Sequence, residues 1–128
     1  MHMNPIVSIV DDDESVRIAT SSLVRSLGWG ARLYASAEQF FASDEIHDVT
    51  CIISDVQMPG ISGLQMYWRL LESGVRLPVV FISAFASDLV CRQALETGAL
   101  CVLSKPVDAV ELSRHLETVK AGRTNSWR

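Results

Sequence analysis

In four places this sequence carries an apolar run straight into a polar residue with chemistry to offer. Asp11 and Asp12 follow Ile6-Val7-Ser8-Ile9-Val10, Asp55 follows Cys51-Ile52-Ile53-Ser54, Ser83 follows Pro78-Val79-Val80-Phe81-Ile82, and Lys105 follows the run that starts at Leu100. Carboxylates crowded together repel, and either take up a proton or demand a cation. A hard divalent ion with oxygen ligands at about 2.0–2.1 Å, Mg²⁺ or Mn²⁺, resolves that repulsion. Lys105 and the Ser83 hydroxyl are then donors to an anion beside the metal. Val56 and Ala84, the residues after Asp55 and Ser83, are expected to add backbone N–H groups, and Ala84 is small enough to leave its own accessible. Carboxylate, divalent metal, lysine and hydroxyl are the components of phosphoryl transfer, with Asp55 as the acceptor nucleophile.

Residues so far apart in sequence meet only if the runs are neighbouring parallel strands. Ile6 to Val10 is a β-branched run ending in four acids, Asp11-Asp12-Asp13-Glu14. From Ser15 the period changes: Val16, Ala19, Leu23 and Leu27 recur at helical spacing until Gly28. Ala31 to Tyr34 is a weak strand candidate, and Ser36 caps a short helix with Gln39 three residues on. After Asp55, Pro59 and Gly60 break the strand pattern, and a helix is expected from about Ser62 to Ser73, closed by Gly74. Its Met66, Tyr67 and Leu70 form one apolar stripe, while Leu64, Trp68 and Leu71 form a second that reads as partial core. Pro78 to Ile82 reads as a central parallel strand. Asp88 can cap a helix carrying Cys91, Ala94, Leu95 and Gly98, and a final helix carries Leu112, Leu116 and Val119. Strand and helix alternate five times, which predicts a doubly wound α/β domain, a five-stranded parallel sheet with helices on both faces. In such a sheet ligands bind outside the carboxyl ends of the strands.

Composition agrees with one domain. The 128 residues are 48% hydrophobic, with a formal charge of −4 and a pI near 5.2. That balance argues against direct nucleic-acid binding, which calls for a basic face. Cys51, Cys91 and Cys101 lack metal-ligand spacing and read as small core residues in a reducing, cytoplasmic setting. No run reaches the roughly 20 apolar residues of a membrane helix. The domain is expected over residues 6–120, with 121–128 a polar tail or the start of a linker, and Met1-His2-Met3 reads as a cloning remnant.

Plainer readings exist for each feature taken singly. Asp11 to Glu14 suits the positive end of the next helix, Lys105-Pro106 is an ordinary turn signal, and serines often end strands. His47 and His115 have no ligand companions and read as surface or helix residues. The combination in the right order is what carries the chemical reading.

Those same residues resemble a family. Val10-Asp11-Asp12-Asp13, Ser54-Asp55-Val56-Gln57-Met58-Pro59-Gly60, Ser83-Ala84 and Lys105-Pro106 are similar to the motif set of response-regulator receiver domains of two-component signalling, over Ile6 to about Lys120. Val10 to Arg17 and the Ser36-Ala37-Glu38-Gln39-Phe40 segment look most like the FixJ-type branch. The resemblance implies a flavodoxin-like fold with strand order 2-1-3-4-5. It further implies that Asp55 accepts a phosphoryl group from a histidine kinase, a phosphotransfer protein or a small acyl phosphate. Asp12, Asp55 and the Gln57 backbone carbonyl would hold Mg²⁺, with Asp11 acting directly or through water. Ser83 and Lys105 would contact the phosphoryl oxygens, and the Lys105-Pro106 peptide is typically cis. Switching would rearrange the face of the fourth helix, fifth strand and fifth helix, through which a homodimer could form. Moving such an equilibrium from mostly off to mostly on takes about 5.5 kcal/mol of differential binding, within reach of a few charge-assisted hydrogen bonds. The resemblance also implies a receiver rather than an enzyme, with any DNA-binding output domain lying outside this sequence.

Three positions depart from the family's pattern or modulate it. Val102 stands where an aromatic ring usually swings with the hydroxyl, and a valine cannot make that rotation. Phe85 and Gln57, each two residues beyond a site residue, are expected to govern access of the hydrolytic water, so that Phe85→Ala or Gln57→Ala changes the lifetime of the phosphorylated state. Val102 and the Tyr67-Trp68 pair leave open a degenerate receiver acting only as a protein-binding module. A Mg²⁺-dependent aspartyl-phosphate hydrolase fits less well, because Gln57 replaces the general acid/base expected two residues after its nucleophile.

Overall fold

A computed structural model of the chain describes residues 5–85 and 87–124, backbone alone at 123 and 124; Met1-His2-Met3, expected to be a remnant, and the end of the expected tail lie outside the described residues. In chain order the elements are β1 (Ile6–Val10), α1 (Glu14–Ser26), β2 (Gly30–Tyr34), α2 (Ala37–Ser43), β3 (Cys51–Asp55), α3 (Gly63–Glu72), β4 (Val79–Ser83), α4 (Asp88–Thr97), β5 (Cys101–Ser104) and α5 (Ala109–Thr124). The sheet is parallel throughout, in the order β2-β1-β3-β4-β5. The expected alternation and strand order are both present, and α5 continues past Lys120 to Thr124.

Alternate residues of the inner strands enter two cores, because side chains on a strand point to opposite faces in turn. Val7, Ile9, Ile53, Val80 and Ile82 pack under α1 and α5 with Val24, Leu112 and Leu116. Val10, Ile52, Val79 and Phe81 pack under α2, α3 and α4 with Phe40, Met66, Tyr67, Leu70 and Ala94. β3 and β4 are buried along their whole length, which is why both read as unbroken apolar runs.

The helix faces correct the sequence pattern in places. In α1 the buried residues are Thr20, Ser21 and Val24, while Ala19 is exposed and Val16, Leu23 and Leu27 are half-buried. The stripe turns by about one residue, because α1 lies over β1 and β2 at the side of the sheet and buries its small hydroxyl residues there. In α4 only Ala94 is fully buried, Cys91 is half-buried and Leu95 faces solvent. Ser87, not Asp88, is its N-cap. The α3 expectation holds: Ser62 and Gln65 form a capping box, and Met66, Tyr67 and Leu70 are buried. Of its second stripe, Leu64 is buried and Leu71 packs against the core, whereas Trp68 is exposed and donates from Nε1 to Thr97 Oγ1 at 3.1 Å, tying α3 to the end of α4. Ser36 caps α2 by accepting from Gln39 N, but Gln39 Oε1 accepts from Ala35 N, not from the cap residue. Cys51 is buried, and Cys91 and Cys101 are half-buried. Among the described residues no helix is long and apolar enough to cross a membrane.

Candidate functional site

Parallel pairing sets the ends of β1, β3, β4 and β5 on one edge, and the polar residues that follow them meet there. Carboxylate oxygens of Asp11, Asp12 and Asp55 lie within 4.8 Å of one another. Asp11 is fully buried and Asp55 nearly so, while Asp12 is exposed. Lys105 Nζ sits 3.0 Å from Asp55 Oδ2 and 3.0 Å from Asp11 Oδ2. Its backbone N–H donates to the Ser83 carbonyl at 2.9 Å, which fixes the root of the lysine to the end of β4. The Lys105–Pro106 peptide is cis, as expected.

Asp55 is held on both oxygens: the Gln57 N–H donates to Oδ1 at 3.1 Å and Lys105 donates to Oδ2. Burial nevertheless raises its pKa above the ordinary aspartate value; Lys105 and the Gln57 amide oppose the rise, and the Asp11 charge adds to it. For Lys105 burial works against the charge, and the carboxylates of Asp11 and Asp55 more than offset it, so its pKa is raised. Lys105 is therefore an ammonium, and three carboxylates against one ammonium leave excess negative charge. Asp11 Oδ2 is buried and accepts no hydrogen bond among the described residues; its contact with Lys105 is an ion pair by distance, without hydrogen-bond geometry. A buried, unsatisfied carboxylate oxygen beside two further carboxylates is the donor set that a hard cation with oxygen ligands suits. The residues fit Mg²⁺.

Ser83 is buried at the end of β4, with its Oγ accepting from the Phe85 N–H at 3.2 Å. Ala84 is exposed beside it, and the Phe85 ring is 83% exposed. Val102 is half-buried in β5, paired with Phe81 and packed on the α3 and α4 side. The Val56 N–H is spent on the Ile82 carbonyl at 3.1 Å, continuing the β3–β4 ladder. The expectation that Val56 offers an N–H to an anion is thus corrected: the amide directed at the Asp55 carboxylate belongs to Gln57. His47 is exposed and His115 half-buried, away from any ligand cluster among the described residues.

Two supporting residues, Arg17 and Glu38, escaped the sequence reading, whereas a third, Asp13, lies in the acidic stretch expected at the start of the next helix. Asp13 caps α1 by accepting from Ser15 N and Val16 N. Arg17 Nη1 donates to the Asp11 carbonyl at 2.8 Å. Glu38 Oε2 accepts from Ile61 N at 3.4 Å, bracing the loop after Asp55. The only sequence signal for Arg17 was a base one turn beyond an acidic cluster.

Residues 7–117 match the family model for the response regulator receiver domain. The chain belongs to that family. As a receiver of a two-component system it is similar to the transcriptional regulatory protein TdiR of Thauera aromatica, 34% identical over 125 residues, covering 93% of this chain and 55% of TdiR. It is also 33% identical over 102 residues to the transcriptional regulatory protein FixJ of Azorhizobium caulinodans, covering 80% of this chain and 48% of FixJ. Among solved structures, the response regulator StyR superposes with a TM-score of 0.84 at 30% identity, over 97% of this chain and 64% of StyR. This receiver spans about half the length of the curated relatives it matches.

Proposed function

We propose that this receiver takes a phosphoryl group onto Asp55 in a divalent-cation-dependent reaction and relays that event through the β4–α4 loop to a protein–protein surface. The observation that carries the reading is Lys105, held 3.0 Å from the carboxylates of both Asp11 and Asp55 at the edge of the sheet. Asp11, Asp12, Asp55 and the Gln57 carbonyl would hold Mg²⁺, or Mn²⁺ in its place. When bound, the cation supplies charge neutralisation for the transferring group.

The chain's own residues do the rest. Asp55 is the nucleophile: a carboxylate oxygen forms the bond to phosphorus as the bond from phosphorus to the donor's nitrogen or oxygen breaks. Burial excludes water, and the Gln57 N–H orients the carboxylate. The Lys105 ammonium, one step away, pairs with the added negative charge. Ser83 Oγ, an acceptor from Phe85 N–H, still has its own proton to donate to a phosphoryl oxygen. As Ser83 turns toward the phosphoryl group, the loop bonded to it moves too, and Ala84 can direct its N–H at the site. A histidine kinase or phosphotransfer protein is the proposed donor. Residues 6–120 are the proposed functional unit, acting in the cytoplasm as a signalling receiver and not as an enzyme with its own substrate. A homodimer through α4, β5 and α5 and a DNA-binding output domain belong to the same reading.

Labelling the purified chain with a small acyl phosphate and Mg²⁺, and resolving it on a phosphate-affinity gel, tests the proposal. A retarded band is expected in the wild type and is expected to vanish in Asp55→Asn and in chelator. A band that persists in Asp55→Asn would rule out Asp55 as the acceptor.

A further inference from the structure

We infer that Arg17 is the positioning residue of the cation site: its guanidinium fixes the Asp11–Asp12 peptide plane, and with it the direction in which the Asp12 carboxylate approaches Asp11 and Asp55. This rests on the divalent-cation reading given above. Three of the four polar atoms of Asp11 are hydrogen-bonded, and the fourth, Oδ2, makes only an ion-pair contact. Its N–H donates to the Tyr34 carbonyl at 3.1 Å, its carbonyl accepts from Arg17 Nη1 at 2.8 Å, its Oδ1 accepts from Asp13 N at 2.9 Å, and its Oδ2 faces Lys105 at 3.0 Å. Asp12 differs. It is exposed, and no hydrogen bond to its carboxylate occurs among the described residues. Only the backbone places that carboxylate.

A peptide unit is planar, so anchoring the Asp11 oxygen also sets the Asp12 N–H and the exit of the Asp12 Cα. Arg17 can serve as the anchor because it is itself fixed. Its backbone N–H donates to the Asp13 carbonyl at 2.9 Å in the first turn of α1. Its side chain is only 15% exposed, with Glu14 Oε2 at 4.0 Å from Nη2. The helix that the acidic loop leads into thus reaches back and clamps that loop.

Charge and geometry make opposite demands here, and this separates them. A guanidinium beside a cation site repels the cation, so a purely electrostatic Arg17 weakens binding and its removal tightens it. A positioning Arg17 does the reverse: Arg17→Ala is expected to bind the divalent ion about 10-fold more weakly, the lower end of the effect of losing a group that orients a metal ligand. Arg17→Lys keeps the charge and one donor and is expected to recover part of the loss.

The test is Mn²⁺ titration of the purified full chain, read by the loss of the free-ion electron paramagnetic resonance signal, with Mg²⁺ as competitor. Wild type, Arg17→Ala, Arg17→Lys, Asp12→Asn and the Arg17→Ala/Asp12→Asn double variant are compared, with urea denaturation in chelator confirming that each is folded. Weaker binding in Arg17→Ala, partial rescue by lysine, and no added loss in the double variant over Asp12→Asn alone are the expected results. Unchanged or tighter binding by Arg17→Ala, or additive losses in the double variant, overturns the inference while leaving the cation site intact. Failure of the wild type to bind Mn²⁺ overturns the cation reading and this inference with it.

Discussion

Lys105 stands between two buried carboxylates, and one ammonium cannot neutralise both. The imbalance has a thermodynamic signature in the metal-free chain. Burial raises the Asp55 pKa above 3.8, so the folded chain binds that proton more tightly than the unfolded chain does. Stability from this group is then greatest below the ordinary aspartate pKa, and falls as the pH rises through the raised one. Asp55→Asn removes the ionisation, and is expected to be more stable than wild type at neutral pH in chelator, the gap closing in acid. Urea denaturation of both proteins across pH 3–8 checks the sign, and a gap that widens in acid would contradict it. That Asp11, Asp12, Asp55, Ser83 and Lys105 come to one edge of the sheet was readable from sequence, because each stands at or just beyond the end of an apolar run. The Val56 assignment failed because a sequence does not show which N–H a neighbouring strand has already engaged.

The start of α3 is pressed onto the end of β3. Gly63 is the first residue of α3, and a Cβ there would overlap the Asp55 carbonyl oxygen and crowd Ser54 Oγ. Its N–H donates to the Val56 carbonyl at 2.9 Å. Gly63→Ala is therefore expected to cost about 1–3 kcal/mol, as overpacking of a close contact does, and to slow labelling of Asp55 by displacing its backbone. At Gly30 an added Cβ meets, among the described residues, only Ile6 Cγ1 at 3.5 Å and Pro5 O at 3.8 Å, so Gly30→Ala is expected to fold nearly as well. Equilibrium urea curves of the two variants measure the contrast. The sequence located α3 well, since its cap, stripe and stop all agree. It placed the buried faces of α1 and α4 less well. The apolar period alone does not say where a helix lies on the sheet, and that placement decides whether Thr20 or Ala19 turns inward.

At the scale of the molecule the order β2-β1-β3-β4-β5 puts β1 and β3 side by side, so carboxylates 43 or 44 positions apart in sequence become neighbours. Alternation of strands and helices was enough to predict that edge. The register that sets Asp55 opposite Ile82, and brings Lys105 to the end of β4, becomes visible only once the strands are paired. The tie from Trp68 to Thr97 has a practical consequence. Of the two tryptophans whose surroundings are described, Trp29 is 3% exposed, with Lys120 Nζ 5.8 Å from its ring centroid, while Trp68 is 46% exposed and bonded to the last residue of α4. In a Trp127→Phe background the chain carries its own optical gauge. Iodide should quench Trp68 and spare Trp29. A beryllofluoride complex formed with Mg²⁺ should shift the Trp68 emission if α4 moves, with Trp68→Phe as the silent control. An emission spectrum that stays fixed would mean that α4 and α3 travel together, carrying the indole and its partner as one piece.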